Sequence, residues 1–184
     1  MLNRNKYLLT ATFRADGSSK FQGENRWGYF PSFSGAWQVA EEGFMDNVNF
    51  INSLKLRVGW GLTGNNRIGD YQSINQFGIG VWNGYVFGEG ESYQPGATQQ
   101  NLAVPDLRWE TTAQTNIGID FSMLDSRFSG TIDYYSKRTD DLLLWADMAL
   151  STGFGAVVQN VGSVSNKGLE VTLWGMVIDS QDFK

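Results

Sequence analysis

Two pairs of adjacent carboxylates are the residues of this chain whose type and spacing most suggest catalysis. Glu41 and Glu42 form one pair, and Asp140 and Asp141 form the other. Glycoside hydrolysis needs two facing carboxyl groups on either side of the scissile bond. Because neighbouring residues on a strand point to opposite faces, neither pair forms this arrangement by itself. Both pairs also flank predicted strand ends, where solvated charge is ordinary, so the sequence predicts no enzyme.

Other reactive chemistry is largely excluded by composition. The 184 residues contain no Cys and no His, which removes the commonest zinc, haem and iron–sulfur ligands and the Ser-His and Cys-His nucleophile pairs. The glycines of 78–80 and 88–90 are too sparse for a phosphate loop, and 16–19 does not reproduce a calcium loop. We therefore expect no cofactor and no metal site. A net charge of -5 without a basic patch argues against a nucleic-acid partner.

Six segments alternate apolar and polar residues with a period of two, which is typical of strands with two different faces. All of their Lys, Arg, Asp and Glu fall on one face, and the other face carries no charge. Each segment has about ten residues, the length that a tilted strand needs to cross a bilayer. A soluble antiparallel sheet with one buried face shows the same alternation. The segments are 6–16, 31–40, 54–63, 112–122, 128–137 and 168–178.

The lengths of the connections favour the membrane interpretation. A tight turn at 124–127 joins the fourth and fifth segments, and an intermediate link at 41–53 joins the second and third. Long connections leave the opposite end of the predicted sheet. Outer-membrane barrels have this asymmetry, with short periplasmic turns and long extracellular loops. The predicted extracellular loops are 17–30, 64–111 and 139–167.

The longest loop contains aromatic residues that suggest ligand contact. Asn83-Gly84 lies between apolar and aromatic residues, which predicts a small hairpin with a type I′ turn. Trp82, Tyr85 and Tyr93 are the candidate ligand-contact residues of this loop. The alternative is that these rings only pack the loop against its neighbours.

Aromatic residues also gather at or near the ends of the predicted segments. Amphipathic rings collect at bilayer interfaces, so these residues are expected to form girdles. Aromatic residues are common in any sheet, and their number here favours a girdle modestly. They are Tyr7, Trp27, Tyr29, Phe30, Trp60, Trp109, Phe121, Phe128 and Trp145.

Six stretches of the chain match motifs of a known family, and they occur in the same order over nearly the whole chain. The chain resembles the C-terminal half of the barrel of SusC/RagA-type TonB-dependent outer-membrane transporters. The stretches are FRADGSSKF (13–21), YFPSFSGAW (29–37), LKLRVGWGLTGN (54–65), LRWETT (107–112), DYYSKRT (133–139, followed by DLLL at 141–144) and NVGSVSNKGLE (160–170).

The resemblance implies an all-β fold: about six antiparallel strands of a transmembrane outer-membrane β-barrel that has roughly 22 strands around a plug. Residues 1–184 are then a partial barrel domain, with the plug and the remaining strands absent. The family implies import of glycans, oligosaccharides or peptides across the outer membrane of a Gram-negative, Bacteroidota-like bacterium. Its implied partners are a SusD-like surface lipoprotein, the TonB–ExbB–ExbD complex and outer-membrane lipid.

A soluble carbohydrate-binding β-sandwich is the alternative from a different class. It would use Trp82, Tyr85 and Tyr93 as a stacking surface, and its apolar faces would meet in a single internal core.

The first residues contain no apolar segment of a signal peptide, and no window approaches 18 apolar residues. Both ends are therefore expected to be cuts through a longer protein.

Overall fold

The computed structural model describes residues 6–89 and 92–176, and strands dominate this part of the chain. Its strands are β1 Tyr7–Gly17, β2 Trp27–Gln38, β3 Ile51–Asn65, β4 Phe77–Phe87, β5 Ser92–Gln99, β6 Glu110–Met123, β7 Phe128–Asp140, β8 Leu143–Asp147, β9 Ala156–Asn160 and β10 Ser163–Gly175. Short 3₁₀ turns occur at Gly23–Arg26, Val39–Glu41, Gly43–Met45 and Leu150–Thr152. Among the described residues, no helix is long and apolar enough to cross a membrane.

Six strands form one antiparallel sheet in the order β1-β2-β3-β6-β7-β10, and β4–β5 and β8–β9 are separate two-stranded hairpins. The six predicted segments are confirmed as the six strands of this sheet. Several strands are longer than predicted because their ends pair with a neighbour; Trp27 to Phe30, for example, pairs with Arg14 to Gly17. Residues 177 and 178 of the sixth segment lie outside the described residues.

The strand register aligns apolar residues into some rows across the sheet and polar or charged residues into the rows between them. One row is apolar apart from the Tyr hydroxyl and comprises Leu9, Gly35, Val58, Ile117, Tyr134 and Leu169. The next row belongs to the other face and comprises Leu8, Ala36, Arg57, Gly118, Asp133 and Glu170. Because side chains alternate along every strand, this register keeps the charges of the six predicted segments on one face. Arg138, Asp140 and Lys167 lie just beyond those segments, at the long-loop ends of β7 and β10, and have the parity of the other face. We call the two surfaces the apolar face and the polar face.

The connections leave the sheet as the sequence predicts. Residues 18–26, 66–109 and 141–162 connect strands at one end, which we call the long-loop end. Residues 39–50 and 124–127 connect strands at the other, short-turn end. The two short-turn connections touch, since Leu124 N donates to Phe50 O at 2.9 Å and Ser126 N donates to Asn52 Oδ1 at 3.0 Å. The intermediate link at 41–53 therefore fits the asymmetry.

Most of the buried side chains lie at the long-loop end and not between two sheets; Val39, at the short-turn end, is an exception. Phe21 and Leu107 are fully buried at the long-loop end, and Val158 packs with them. The apolar face of the sheet remains exposed, with Leu9 80% and Val58 54% accessible. The β-sandwich alternative requires a second sheet against this face, and the described residues contain no such sheet.

The β4–β5 hairpin confirms a hairpin in the longest loop but not the predicted turn. β4 continues through Asn83 and Gly84, and the chain turns after Phe87, where Gly88 has φ +91°. Register shifts between Gly80 and Tyr85, so four residues of β4 lie opposite the single Pro95. Proline has no N–H to donate to a ladder, and strand prolines favour bulges. The Asn-Gly pair is therefore part of a bulge, and the prediction of a type I′ turn there was wrong.

Candidate functional site: the polar face and the long-loop end

An ion-pair network joins three strands on the polar face. The Arg57 guanidinium of β3 donates to both carboxylate oxygens of Asp120 on β6 at 2.8 Å and to Asp133 on β7 at 2.9 and 3.2 Å. Lys55 Nζ lies 4.0 Å from Asp120. The fork of donors on an arginine matches carboxylates in this bidentate way. The network fixes the relative positions of β3, β6 and β7.

Gly118 provides the space through which Arg57 reaches Asp133. It lies between them in the register, and a Cβ at this position would overlap the Asp133 carboxylate and lie 2.8 Å from Arg57 Nη2. Glycine is therefore required here by the close approach of two side chains.

Gly118→Val is expected to displace Arg57 from Asp133 and to lower the free energy of unfolding by about 1–3 kcal/mol. Gly59→Val is the matched control, because Gly59 faces the same side and a Cβ there meets nothing within 4 Å. Denaturant unfolding of the detergent-solubilised full-length protein measures both variants. Equal stability of the two variants would contradict a role for Gly118 in the network.

A polar groove of about 440 Å³ extends from this network across β6, β7 and β10. Tyr135 lies flat across Gly168, the residue directly opposite on β10, with its hydroxyl 2.6 Å from the Cβ position of that glycine. The Tyr135 hydroxyl and the side chains of Lys137 and Glu170 make no hydrogen bond or ion pair to any other described residue. The groove therefore presents an aromatic ring, one cation and one anion to a ligand, together with the amides of Gln114 and Asn116.

At the long-loop end, apolar side chains from all three long connections pack together. Phe21, Leu107 and Val158 form the buried centre, which we call the loop cluster. The Trp109 ring lies 5.5 Å from the rings of Phe21 and Phe30 and covers the cluster on the side of the sheet. Ile68, Val104 and Leu143 complete the packing. Burial of these side chains holds long, otherwise irregular segments in one conformation.

Hydrogen bonds fasten the same connections to one another. Lys20 Nζ donates to Ile68 O at 2.6 Å, and Ser73 Oγ donates to Lys20 O at 2.9 Å. Asn160 Nδ2 donates to the carbonyls of Arg108 and Asp141, both at 2.9 Å. All of these bonds except the one to Asp141 link two different connections, so the long-loop end forms one packed layer above the sheet.

The candidate aromatic residues of the longest loop do not share one surface. Tyr93 lies opposite Val86, and Tyr85 lies opposite Gln94, so the two tyrosines belong to opposite faces of the β4–β5 hairpin. Tyr93 packs its ring against Gly84 and donates its hydroxyl to Gly80 O at 2.6 Å. Tyr85 is 59% exposed and meets Phe87 edge-on. Trp82 lies on β4, but its side chain is outside the described part of the structure.

Three of the four carboxylates in the two pairs have structural partners. Glu42 accepts hydrogen bonds from Tyr7 Oη at 2.6 Å, Trp37 Nε1 at 3.0 Å and Lys6 Nζ at 3.3 Å. The Tyr7 hydroxyl first, and then the Trp37 indole, hold the pKa of the Glu42 carboxyl below its ordinary value. The members of the other pair each bind an arginine: Arg138–Asp140 at 2.9 Å and Arg108–Asp141 at 2.7 Å. The described residues contain no group of three potential metal-ligating His, Cys, Asp or Glu side chains.

Two of the aromatic residues expected in the interfacial girdle, Phe30 and Trp109, pack at the long-loop end instead. Phe30 is 5% exposed and Trp109 packs on the loop cluster, so the girdle prediction was wrong for both. Phe30 lies on the polar face at the long-loop end, where Gly28 and Gly64 leave room for its ring. Several of the other rings are exposed and form stacked pairs, such as Trp60 with Phe33 at 6.1 Å.

The loop cluster and the β8–β9 hairpin are features that the sequence pattern did not predict. Leu142 to Leu144 and Val157-Val158 are short apolar runs that signal such a hairpin. Phe21 and Leu107 have no periodic apolar neighbours. The stretches that carry the family resemblance at 13–21 and 107–112 contain both of them.

Comparison with known proteins agrees with this geometry. The family model "TonB dependent receptor-like, beta-barrel" matches residues 2–182. The chain is 44% identical to TonB-dependent receptor P39 of Formosa agariphila and 40% identical to TonB-dependent receptor SusC of Bacteroides thetaiotaomicron. These alignments cover 98% and 97% of the chain but only 17% and 18% of the relatives.

Solved structures show the same arrangement of strands. The RagAB peptide importer in its closed-closed state superposes with a TM-score of 0.82 at 28% identity, over 96% of this chain and 19% of that one. The siderophore receptor PirA of Pseudomonas aeruginosa, at 16% identity and a TM-score of 0.57, shares the fold. The chain therefore belongs to the TonB-dependent receptor-like β-barrel family, which confirms both the predicted SusC/RagA resemblance and the all-β barrel fold.

Proposed function

We propose that the six-stranded sheet is one wall segment of an outer-membrane barrel that imports oligosaccharides or peptides and performs no bond chemistry. The observation that carries this proposal is the separation of residue types by the strand register. All six strands contribute to one apolar face, and the charged residues of the strands lie on the other face, except for Arg138, Asp140 and Lys167 at the long-loop ends of β7 and β10. In a transmembrane barrel, the apolar face of the wall contacts lipid and the polar face lines a water-filled lumen.

In this arrangement the long-loop end faces the cell exterior and the short-turn end faces the periplasm. The loop cluster holds the long connections in a fixed layer, and a SusD-like surface lipoprotein would cover this layer as a lid. The relatives support the pairing: SusC is 40% identical, and the structural match is to the RagAB assembly. Energy would come from the TonB–ExbB–ExbD complex, acting through parts of the transporter beyond these strands.

The substrate is proposed to be a glycan or a peptide, and two regions are candidates to contact it. Trp82, Tyr85 and Tyr93 remain candidate ligand contacts in the longest loop. Since Tyr85 and Tyr93 lie on opposite faces of their hairpin, only one of them can share a surface with a given ligand. The groove around Tyr135 is the second candidate, because the Tyr135 hydroxyl and the side chains of Lys137 and Glu170 lack partners among the described residues.

Uptake by cells carrying the full-length transporter tests this proposal. Fluorescently labelled oligosaccharide and peptide mixtures are offered separately to cells with TonB and to cells without TonB. We expect one mixture to accumulate only when both TonB and the transporter are present. Accumulation that is independent of TonB, or absent for both mixtures, would contradict import by this protein.

The behaviour of the purified chain by itself is a second test, because it shows whether the apolar face needs lipid or detergent. Six strands leave two open edges and an uncovered apolar face, so the purified 184-residue chain is expected to aggregate or to need detergent. Size-exclusion chromatography in plain buffer measures this. A monodisperse monomer that unfolds cooperatively without detergent would contradict the proposal.

A further inference from the structure

A groove crosses the apolar face above Gly35 of β2. The residues opposite Gly35 are Leu9 on β1 and Val58 on β3, and their side chains form its two walls. A Cβ at Gly35 would lie 3.3 Å from Leu9 Cδ2 and 3.6 Å from Val58 Cγ1. The missing side chain therefore creates a depression between two larger aliphatic residues.

Two adjoining cavities make this depression a continuous channel. They have volumes of about 490 and 520 Å³, and both are lined by Leu9, Gly35 and Val58. Phe33 and Trp60 lie at one end, with their rings stacked at 6.1 Å. Tyr7 and Trp37 lie at the other end, stacked at 6.3 Å. The channel is almost wholly apolar and has an aromatic pair at each end.

The channel is short enough to lie within one leaflet of a bilayer. Its lining runs from Tyr7 to Ala11 on β1 and from Phe33 to Trp37 on β2. Four residue steps on each strand correspond to about 14 Å along the strand, and a strand tilt of about 40° reduces this to about 11 Å of membrane depth. Half of a hydrocarbon core about 30 Å thick is about 15 Å.

The channel also lies on one side of the membrane. The pair Tyr7–Trp37 is at the short-turn end, beside the ion pair between Lys6 and Glu42. Trp60 is in the interior of β3, and the apolar lining ends there. Tyr, Trp and Lys side chains collect at headgroup level, whereas the interior of the strand is at hydrocarbon depth. The channel therefore lies in the leaflet on the short-turn side.

Resting on the function proposed above, in which the apolar face contacts lipid, we propose that this groove binds one acyl chain of a phospholipid from the leaflet at the short-turn end. Its apolar lining, its length and its continuity with the lipid-facing surface all fit a single extended hydrocarbon chain. The Tyr7–Trp37 pair and Lys6 lie where the headgroup would sit. An acyl chain in the groove would be less mobile than the chains of the surrounding lipid, so the lipid beside β1 to β3 would be ordered.

The experiment counts the phospholipids that remain bound to the full-length transporter after purification in mild detergent and titration with dipalmitoyl phosphatidylethanolamine. Native mass spectrometry gives the number per copy. Gly35→Leu fills the groove, and Gly59→Leu makes the same change on the polar face, where a Cβ meets nothing within 4 Å. Gly35→Ala is a smaller change that tests the same position if the leucine variant does not fold.

We expect wild type and Gly59→Leu to hold one more lipid per copy than Gly35→Leu. Loss of contact with about two methylene groups lowers the affinity of this lipid by about tenfold in Gly35→Leu, and Gly35→Ala gives a smaller loss. Equal lipid counts in the folded Gly35 variants and in Gly59→Leu would overturn the proposal. It would also be overturned if wild type formed a lipid-free dimer that Gly35→Leu converted to monomers, since a second copy would then occupy the face.

Discussion

Val58→Arg is expected to lower the stability of the membrane-inserted barrel by about 1–3 kcal/mol, because an arginine on the lipid face costs about 2–4 kcal/mol at the bilayer midplane and less toward the interfaces. Val58 is at the centre of β3 and is 54% exposed on the apolar face. It belongs to the row that crosses all six strands, so the substituted guanidinium would be surrounded by apolar side chains. Reversible unfolding of the full-length protein in lipid vesicles measures the loss.

Gly59→Arg is the control for this substitution. Gly59 is the next residue on the same strand and faces the polar side, and a Cβ there meets nothing within 4 Å. The same side chain would then enter water, so we expect a change of less than about 1 kcal/mol. Equal losses in the two variants would mean that the apolar face does not contact lipid.

Leu107→Ala is expected to cost about 2–5 kcal/mol in the stability of the loop cluster, because it removes a fully buried side chain and leaves a cavity. Leu107 contacts segments from different connections, since Phe21 and Val158 pack beside it. Local opening of the long-loop end should therefore become easier while the strands remain paired. Hydrogen exchange of the backbone amides in 18–26, 101–109 and 141–160 measures this opening.

Leu150→Ala makes the same chemical change in the same layer at a side chain that is 86% exposed. We expect it to leave hydrogen exchange of the loop cluster unchanged. The role given to the cluster would be contradicted by similar exchange in both variants. Faster exchange along β3 and β6 in Leu107→Ala would show instead that the loops and the barrel wall open together.

The sheet could be predicted from the sequence because strand geometry has a period of exactly two residues. Arg57, Asp120 and Asp133 have the same parity relative to their strands as every other charged residue of the six predicted segments, and no turn interrupts that alternation. The tight turn at 124–127 and the long connections then fixed which strand ends lie together. The network itself was not predicted, because it depends on cross-strand register and on the gap at Gly118.

The loop cluster could not be predicted in the same way. Phe21 and Leu107 lie in irregular segments, where no periodicity links burial to sequence position. Their burial depends on contacts across more than 80 residues of chain, such as the hydrogen bond from Asn25 to Asp106 O. The turn at Asn83-Gly84 was mispredicted for a related reason. A local preference for φ > 0 gave way to the bulge opposite Pro95 and to the packing of Tyr93 on Gly84.

The most direct test of the central claim is a spin-label scan along β3 in the membrane-inserted full-length protein. Single labels at each position from 55 to 62 are measured for collision with oxygen, which dissolves in lipid, and with a water-soluble nickel chelate. Contact of the apolar face with lipid predicts oxygen maxima at 56, 58, 60 and 62 and nickel maxima at 55, 57, 59 and 61. Accessibility without this alternation, or with the two reagents exchanged, would contradict the assignment of these strands to the wall of an outer-membrane barrel.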